Sequence, residues 1–161
     1  MEPAFVHHGG DRRQLRDLMS PAGLLADLPR GTIVAVLSTV LPGTVQEIAR
    51  DAATVGVHVV DSTVCRGGRA ADAGTLLSFV GGQAYVVERL RPVLACYSTD
   101  IVHTGGVGTA QVAKTANNLV MWACLIANHE ALALAKRYGV DVGRLRQGLL
   151  LRRAEDYVLP N

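Results

Sequence analysis

Short apolar runs alternate with amphipathic segments along most of the chain. The runs of strand type are Thr32–Leu37, Val57–Asp61, Thr75–Val80 and Thr99–His103. Between them the periodicity predicts helices at Pro42–Ala53 and Gln83–Leu94, and an earlier amphipathic helix at Arg12–Leu28 that is interrupted near Ser20-Pro21. Continuous apolar strands that alternate with helices are typical of a mainly parallel sheet with helices on both faces. The pattern therefore predicts an α/β fold.

A long helical stretch follows the last predicted strand. It begins after Gly105-Gly106-Val107-Gly108 and continues to Tyr138, where Gly139 is placed to end it. Asp141 is placed to begin another short helix. A helix of this length exceeds the usual size in a globular domain, so we expect it to leave one domain and start a second. The predicted domains are an α/β domain over residues 1–104 and, over residues 105–161, the long helix and the start of an all-α C-terminal domain.

Composition excludes several classes of protein. The chain has 161 residues, of which 49% are hydrophobic and 19% are charged, as in a globular protein. A net charge of +2 is too small to indicate a nucleic-acid partner, and no uninterrupted apolar run reaches the length that spans a membrane. The three cysteines, Cys65, Cys96 and Cys124, are far apart in the sequence and odd in number. We therefore expect neither a metal site nor a disulfide framework. Without a signal pattern at the N-terminus, we expect a cytoplasmic protein.

The most informative polar residues lie on the long helix. Lys114, Asn117 and Asn118 are spaced i, i+3 and i+4 and therefore share one helical face. Residues 119–127 are apolar, which indicates burial, and buried amides or ammonium groups need polar partners. One interpretation is structural, with the amides bonded to nearby backbone. The other is a lysine that exchanges protons beside two amides, and lysine can do this whereas arginine cannot.

Two further segments follow predicted strands. Ser38-Thr39 follows the first strand and precedes a helix, where hydroxyls commonly act as caps. Cys65-Arg66-Gly67-Gly68 lies beyond the second strand, where glycines can form a plain turn before a short helix at residues 70–73. In an open α/β sheet, however, ligands bind beyond the carboxyl ends of strands. Gly106-Val107-Gly108 is not a dinucleotide fingerprint, because Gln111 stands where the third glycine is required.

Taken in this order, these segments resemble the β-hydroxyacid dehydrogenases. That family includes 3-hydroxyisobutyrate, tartronate semialdehyde and 6-phosphogluconate dehydrogenases and the related imine reductases. The resemblance runs from about Phe5 to Leu150, and its most specific part is Gly105–Asn118. Ser38–Pro42, Asp61–Gly68, Ala71–Leu76 and Val80–Gly82 also match in register. The resemblance implies a partial Rossmann-like domain, NAD or NADP as cofactor, and hydride transfer between the nicotinamide and a small hydroxyacid or related carbonyl.

The resemblance also assigns roles to individual residues. Lys114 would be the catalytic acid and base, Asn118 would position the substrate, and Asn117 would support the helix. The segment Cys65, Arg66 and Gly67 would bind the substrate carboxylate. Ser38 and Thr39 would bind the cofactor, with Thr39 near the nicotinamide ribose. This sequence departs from the family at the carboxylate segment, where Ser-Gly-Gly is usual. Cys65 is a weaker donor than serine, and Arg66 adds a fixed positive charge that could compensate for this or block binding.

The resemblance also implies truncation at both ends. The chain begins within the family's fourth strand, near Phe5-Val6-His7, and so lacks the first βαβ half with its glycine-rich phosphate turn. It ends early in the helical domain. We therefore expect weak cofactor binding and little activity from this chain alone, and association into a homo-oligomer through uncovered apolar surface. The alternative is a non-catalytic interaction module, or a gene remnant, that associates through its exposed long helix.

Overall fold

The computed structural model describes residues 4–6, 19–20 and 23–151. The strands are β1 (Ala4–Val6), β2 (Ile33–Val36), β3 (His58–Cys65), β4 (Leu76–Gly81) and β5 (Ser98–Gly105), and they form one sheet in that order. The helices are α1 (Leu24–Asp27), α2 (Pro42–Thr54), α3 (Gly67–Asp72), α4 (Ala84–Leu94), α5 (Thr109–Arg137) and α6 (Val142–Leu150). Of the helix predicted over Arg12–Leu28, most lies outside the described residues. The predicted α/β class is confirmed.

The sheet is mainly parallel, as predicted, with one antiparallel pairing at its centre. β1, β2 and β3 pair in parallel, β4 and β5 pair in parallel, and β3 pairs with β4 in the opposite direction. A parallel connection needs a crossover of a dozen or more residues. Residues 66–75 provide only the six-residue helix α3 and two short turns, so the chain reverses instead.

Alternate residues of β2 build a core on each face of the sheet. Val34 and Val36 point to one face, where they join apolar side chains of α2 such as Val45 and Ile48. Ile33 and Ala35 point to the other face and join the buried residues of α4, including Leu90. Successive strand side chains point to opposite faces, so a continuous apolar strand is required when both faces are covered.

Two predicted boundaries around the central strand were wrong. The strand predicted to end at Asp61 continues to Cys65, because residues 61–65 pair with β4. The short helix expected at residues 70–73 begins at Gly67, so Gly67 and Gly68 form its first turn rather than a separate loop.

The chain divides into two compact units, residues 1–117 and 118–161. Within the second unit, the remainder of α5 exposes large apolar side chains, among them Leu119 at 71% and Trp122 at 55% of their accessible surface. Gly139 follows α5 with a positive φ, and the Asp141 side chain accepts a hydrogen bond from the backbone N–H of Arg144 at the start of α6, as the sequence predicted.

Helix α5 is the one described helix that is long and apolar enough to cross a membrane. Its 29 residues include an 18-residue window of mean hydropathy 1.3. The sequence expectation concerned uninterrupted apolar runs, whereas α5 contains polar residues such as Asn118 and His129 and meets the condition by its average hydropathy. The core helix of a soluble protein meets the same condition, so length and composition alone are weak evidence for a membrane.

Candidate active site

A buried carboxylate on β3 holds the start of α5. Asp61 has no exposed surface, and its two oxygens accept hydrogen bonds from the backbone N–H groups of Gly108 at 2.7 Å and Gln111 at 3.0 Å. The first N–H groups of a helix have no partner within the helix, and its N-terminus attracts negative charge. Asp61 therefore satisfies two of these donors and fixes where the helix starts on the sheet.

Gly81 leaves the space that this carboxylate occupies. A Cβ atom at position 81 would lie 2.5 Å from Oδ1 of Asp61 and 2.8 Å from the carbonyl oxygen of Gly106. The glycine that ends β4 is therefore required by close approach rather than by a turn. Burial raises the pKa of Asp61, and the hydrogen bonds from Gly108 and Gln111 partly oppose this rise.

Two further hydrogen bonds join β3 to the first turns of α5. The buried hydroxyl of Thr63 donates to the carbonyl of Ala110 at 3.0 Å. One turn later, Nζ of Lys114 donates to the carbonyl of Val64 at 2.6 Å and lies 3.7 Å from Sγ of Cys65. Lys114 is half-buried on the second turn of α5 and contacts the carboxyl end of β3. The structure thus brings Lys114 and Cys65 together.

Arg66 adopts a backbone conformation that is rare for a residue with a side chain. Its φ is +86°, and it is the one non-glycine residue with positive φ in the described part of the chain. One nitrogen of its guanidinium donates to the carboxylate of Asp100 at 2.7 Å, the hydroxyl of Thr99 at 3.0 Å and the carbonyl of Thr75 at 3.1 Å. The side chain therefore ties the turn between β3 and α3 to the start of β5. Gly67 and Gly68 beside it are exposed, and nothing lies within 4 Å of a Cβ at either position.

The segment after β2 is held by the side chain of Gln111. Its Oε1 accepts a hydrogen bond from the N–H of Val40 at 2.9 Å, and its Nε2 donates to the carbonyl of Ser38 at 2.9 Å. Gln111 has no exposed surface, Ser38 is buried, and Thr39 between the two anchor points is exposed. Gln111 lies one turn before Lys114, so the same two turns of α5 contact the segment after β2 and the end of β3.

This segment has groups suited to the nicotinamide end of a dinucleotide. Thr39 offers an exposed hydroxyl and Leu41 an apolar side chain that is 57% exposed. Both follow the carboxyl end of a strand in the parallel part of the sheet, which is where open α/β sheets bind ligands. A hydroxyl suits a ribose and an apolar side chain suits a flat ring, so the residues present fit such a group.

The two asparagines differ in position. Asn117 is half-buried and is the last residue of the first unit, whereas Asn118, also half-buried, opens the second. Within the part of the chain that the structure describes, neither side chain has a hydrogen-bond partner. Their assigned roles therefore stay predictions.

Sequence reasoning missed Asp61 and Gln111 as functional residues. Asp61 ends the apolar run Val57–Val60, and a charge in a strand buried on both faces is a signal for an internal partner. Gln111 was considered only as a replacement for a missing glycine. A polar residue between Ala110 and Val112 at the start of the long helix was the available signal, although its partners lie about seventy residues away in the chain.

Comparison with known proteins identifies the family of the chain. Residues 9–106 match the family described as the NAD binding domain of 6-phosphogluconate dehydrogenase. The chain is 39% identical over 119 residues to 3-hydroxyisobutyrate dehydrogenase of Pseudomonas aeruginosa and 35% identical over 120 residues to 2-(hydroxymethyl)glutarate dehydrogenase of Eubacterium barkeri. Each match covers 74% of this chain and 40% of the relative.

A solved structure shows the same fold. The 3-hydroxyisobutyrate dehydrogenase of Mycobacterium tuberculosis with L-serine superposes with a TM-score of 0.79 at 29% identity, over 86% of this chain and 47% of that one. The chain belongs to the family defined by the NAD binding domain of 6-phosphogluconate dehydrogenase. It spans less than half the length of these relatives. The resemblance inferred from the sequence is confirmed.

Proposed function

We propose that this chain carries the catalytic lysine and part of the cofactor site of an NAD(P)-dependent oxidoreductase of the β-hydroxyacid dehydrogenase type. The reaction is hydride transfer between a nicotinamide and a small hydroxyacid or related carbonyl compound. The observation that carries the proposal is the position of Lys114. Its ammonium group lies at the carboxyl end of β3, 2.6 Å from the carbonyl of Val64, beside the segment to which the resemblance assigns the substrate carboxylate.

Lys114 would move the proton in this reaction. It would accept the proton of the substrate hydroxyl during oxidation and return it during reduction. A bound NAD or NADP would supply the hydride acceptor or donor. The hydrogen bond to Val64 directs Nζ to the strand end, and half-burial shields it from bulk water. The side chain is therefore held where a substrate could meet it.

Cys65, Arg66 and Gly67 would bind the substrate carboxylate, and Asn118 would help to position the substrate. Arg66 already donates to Asp100, so we propose that its main effect is to hold the turn in place. The exposed Gly67 is open to a ligand. Ser38 and Thr39 would lie against the cofactor, with Asn117 supporting the helix.

The test is a kinetic comparison in a chimera. The first βαβ unit and the C-terminal helical domain of the Pseudomonas aeruginosa relative are joined to this chain, and reduction of NAD and NADP is followed at 340 nm with a panel of small β-hydroxyacids. We expect turnover with at least one of them and loss of turnover in Lys114→Met. Turnover that survives Lys114→Met would disprove the assignment. We expect the chain alone to bind the cofactor weakly, because pyrophosphate binding relies on a glycine turn outside it, and calorimetric titration measures this.

A second candidate, a non-catalytic interaction module, is favoured by one observation. In the second unit, Leu125, Ile126, His129, Glu130 and Ala133 line a shallow depression of about 410 Å³ on a face of α5 rich in exposed apolar side chains. We propose that a second copy of the chain covers this face in a cytoplasmic homo-oligomer. Light scattering after size exclusion gives the mass. A monomer at high micromolar concentration would argue against the oligomer. If the chain forms an oligomer and the chimera shows no turnover, the interaction module is favoured.

A further inference from the structure

Gln111 bonds to the backbone on both sides of Thr39. The carboxamide accepts from the N–H of Val40 and donates to the carbonyl of Ser38, both at 2.9 Å. The residue is fully buried, and its own N–H donates to Asp61. One side chain thus connects the segment after β2 to a helix start that β3 already fixes.

The chemistry of this contact requires an amide of this length. A glutamate at position 111 has no N–H to donate to Ser38, and a methionine of similar shape offers neither group. Either change leaves buried backbone groups without partners, which is costly. The arrangement also leaves the Thr39 side chain free to face outward, because the anchoring uses only backbone atoms of its two neighbours.

Gln111 and Lys114 are one turn apart on the same helix, so they move together. We propose that Gln111 is a positioning residue that sets the separation between the cofactor segment, Ser38–Val40, and the proton-transferring ammonium of Lys114. This inference rests on the proposed function. Gln111 touches no reacting atom in this scheme and acts through the segment it holds.

The first experiment needs no cofactor and uses the chain as it is. Amide hydrogen exchange is measured at Val40 in the parent, in Gln111→Met and in Gln46→Met. Gln46 is the matched control, because its Nε2 donates to the carbonyl of Val107 near the same helix start, and it forms no described hydrogen bond with Ser38–Val40. We expect exchange at Val40 to accelerate roughly tenfold or more in Gln111→Met and to stay at the parent rate in Gln46→Met. Unchanged exchange in Gln111→Met would overturn the inference.

The second experiment uses the chimera and separates positioning from stability. We expect Gln111→Met to raise the KM for the cofactor several-fold and to lower kcat about tenfold at a temperature where the variant is fully folded. Gln111→Glu keeps the acceptor for Val40 but loses the donor to Ser38. We therefore expect it to show a higher cofactor KM and a lower kcat than the parent, as Gln111→Met does. Gln46→Met should keep both constants. Parent values of kcat and cofactor KM in folded Gln111→Met would overturn the inference.

The two experiments distinguish this inference from the proposed function. If the parent chimera has no dehydrogenase activity, the proposed function fails, and the exchange measurement still decides whether Gln111 holds the segment. If the parent is active and exchange at Val40 accelerates while kcat and KM are unchanged, the contact is only structural and the positioning role is wrong.

Discussion

The buried Asp61 carboxylate gives a quantitative test of how α5 is attached to the sheet. Asp61→Asn keeps the shape of the side chain and leaves one oxygen to accept a hydrogen bond. The remaining oxygen can accept from the backbone N–H of either Gly108 or Gln111. The amide nitrogen faces the other N–H, which is left without an acceptor. An unsatisfied buried donor costs about 1–3 kcal/mol.

Near the ordinary carboxyl pKa, the raised pKa keeps Asp61 mainly protonated in the folded protein, and both oxygens of a neutral carboxyl group can still accept hydrogen bonds. We therefore expect Asp61→Asn to lower the free energy of unfolding by about 2 kcal/mol in mildly acid solution, near the ordinary carboxyl pKa. Urea unfolding followed by circular dichroism measures this as a lower midpoint with an unchanged slope. Asp51→Asn is the control, because Asp51 is an exposed residue of α2, and it should leave the midpoint within error.

The pH dependence has a defined sign. Burial raises the pKa of Asp61 in the folded protein, so folding takes up a proton in the acid range between the unfolded and folded pKa values. The stability advantage of the parent over Asp61→Asn should therefore shrink as pH rises through that range. The pKa of Asp100 is lowered by its hydrogen bond from Arg66, and that of Glu88 by its hydrogen bond from Arg91. Both groups are present in parent and variant, so the difference isolates Asp61.

Two results would refute this reasoning. The first is a difference in free energy of unfolding between parent and Asp61→Asn that increases as pH rises. It would mean that the helix N-terminus and the two N–H donors outweigh desolvation and keep the carboxylate charged. Equal stability of parent and Asp61→Asn across the range would mean that Asp61 does not anchor the helix.

Three further predictions concern the site itself. In the chimera, Lys114→Met should lower kcat about 10²- to 10⁴-fold with cofactor affinity nearly unchanged. Lys114→Arg should be nearly as damaging because guanidinium keeps its proton, and parent activity of this variant in steady-state kinetics would mean that Lys114 acts only as a fixed positive charge. Cys65→Ser should maintain or raise activity because a hydroxyl donates better than a thiol, and loss on every substrate would mean that the loop serves another ligand. Arg66→Gly should be more stable to urea than Arg66→Ala by about 1–2 kcal/mol, because both lose the guanidinium but only glycine tolerates φ near +86° without strain; equal midpoints would contradict this.

The periodic elements could be predicted from the sequence because apolar spacing determines them directly. β2 and α2 were predicted to within one residue at each end, since β2 is buried on both faces and α2 begins at a proline. The direction of β4 does not appear in periodicity. It follows from the short connection over residues 66–75, which the sequence contains but which pattern analysis did not use.

The end of β3 was missed because its residues are polar. Ser62 and Thr63 have no exposed surface, although their side chains are typical of a loop. Thr63 is accommodated because its hydroxyl bonds to Ala110, a partner 47 residues away. Local sequence carries no information about such a partner, so a polar segment that is buried by a distant helix is interpreted as exposed. The same reason explains why Gln111 was undervalued.

The contacts between β3 and α5 predict that stability and catalysis respond differently to two neighbouring changes. Asp61, Thr63 and the carbonyl of Val64 each bond to the first two turns of α5, so loss of one contact leaves two others to place Lys114. Gln111 forms two hydrogen bonds from α5 to the Ser38–Val40 segment, one at Ser38 and one at Val40. Asp61→Asn should therefore cost stability with at most a small loss of kcat in the chimera, whereas Gln111→Met should cost more in kcat and cofactor KM. Urea midpoints and steady-state constants for the two variants, measured on the same chimera, test this ordering, and a larger kcat loss in Asp61→Asn than in Gln111→Met would show that Lys114 depends on the carboxylate alone.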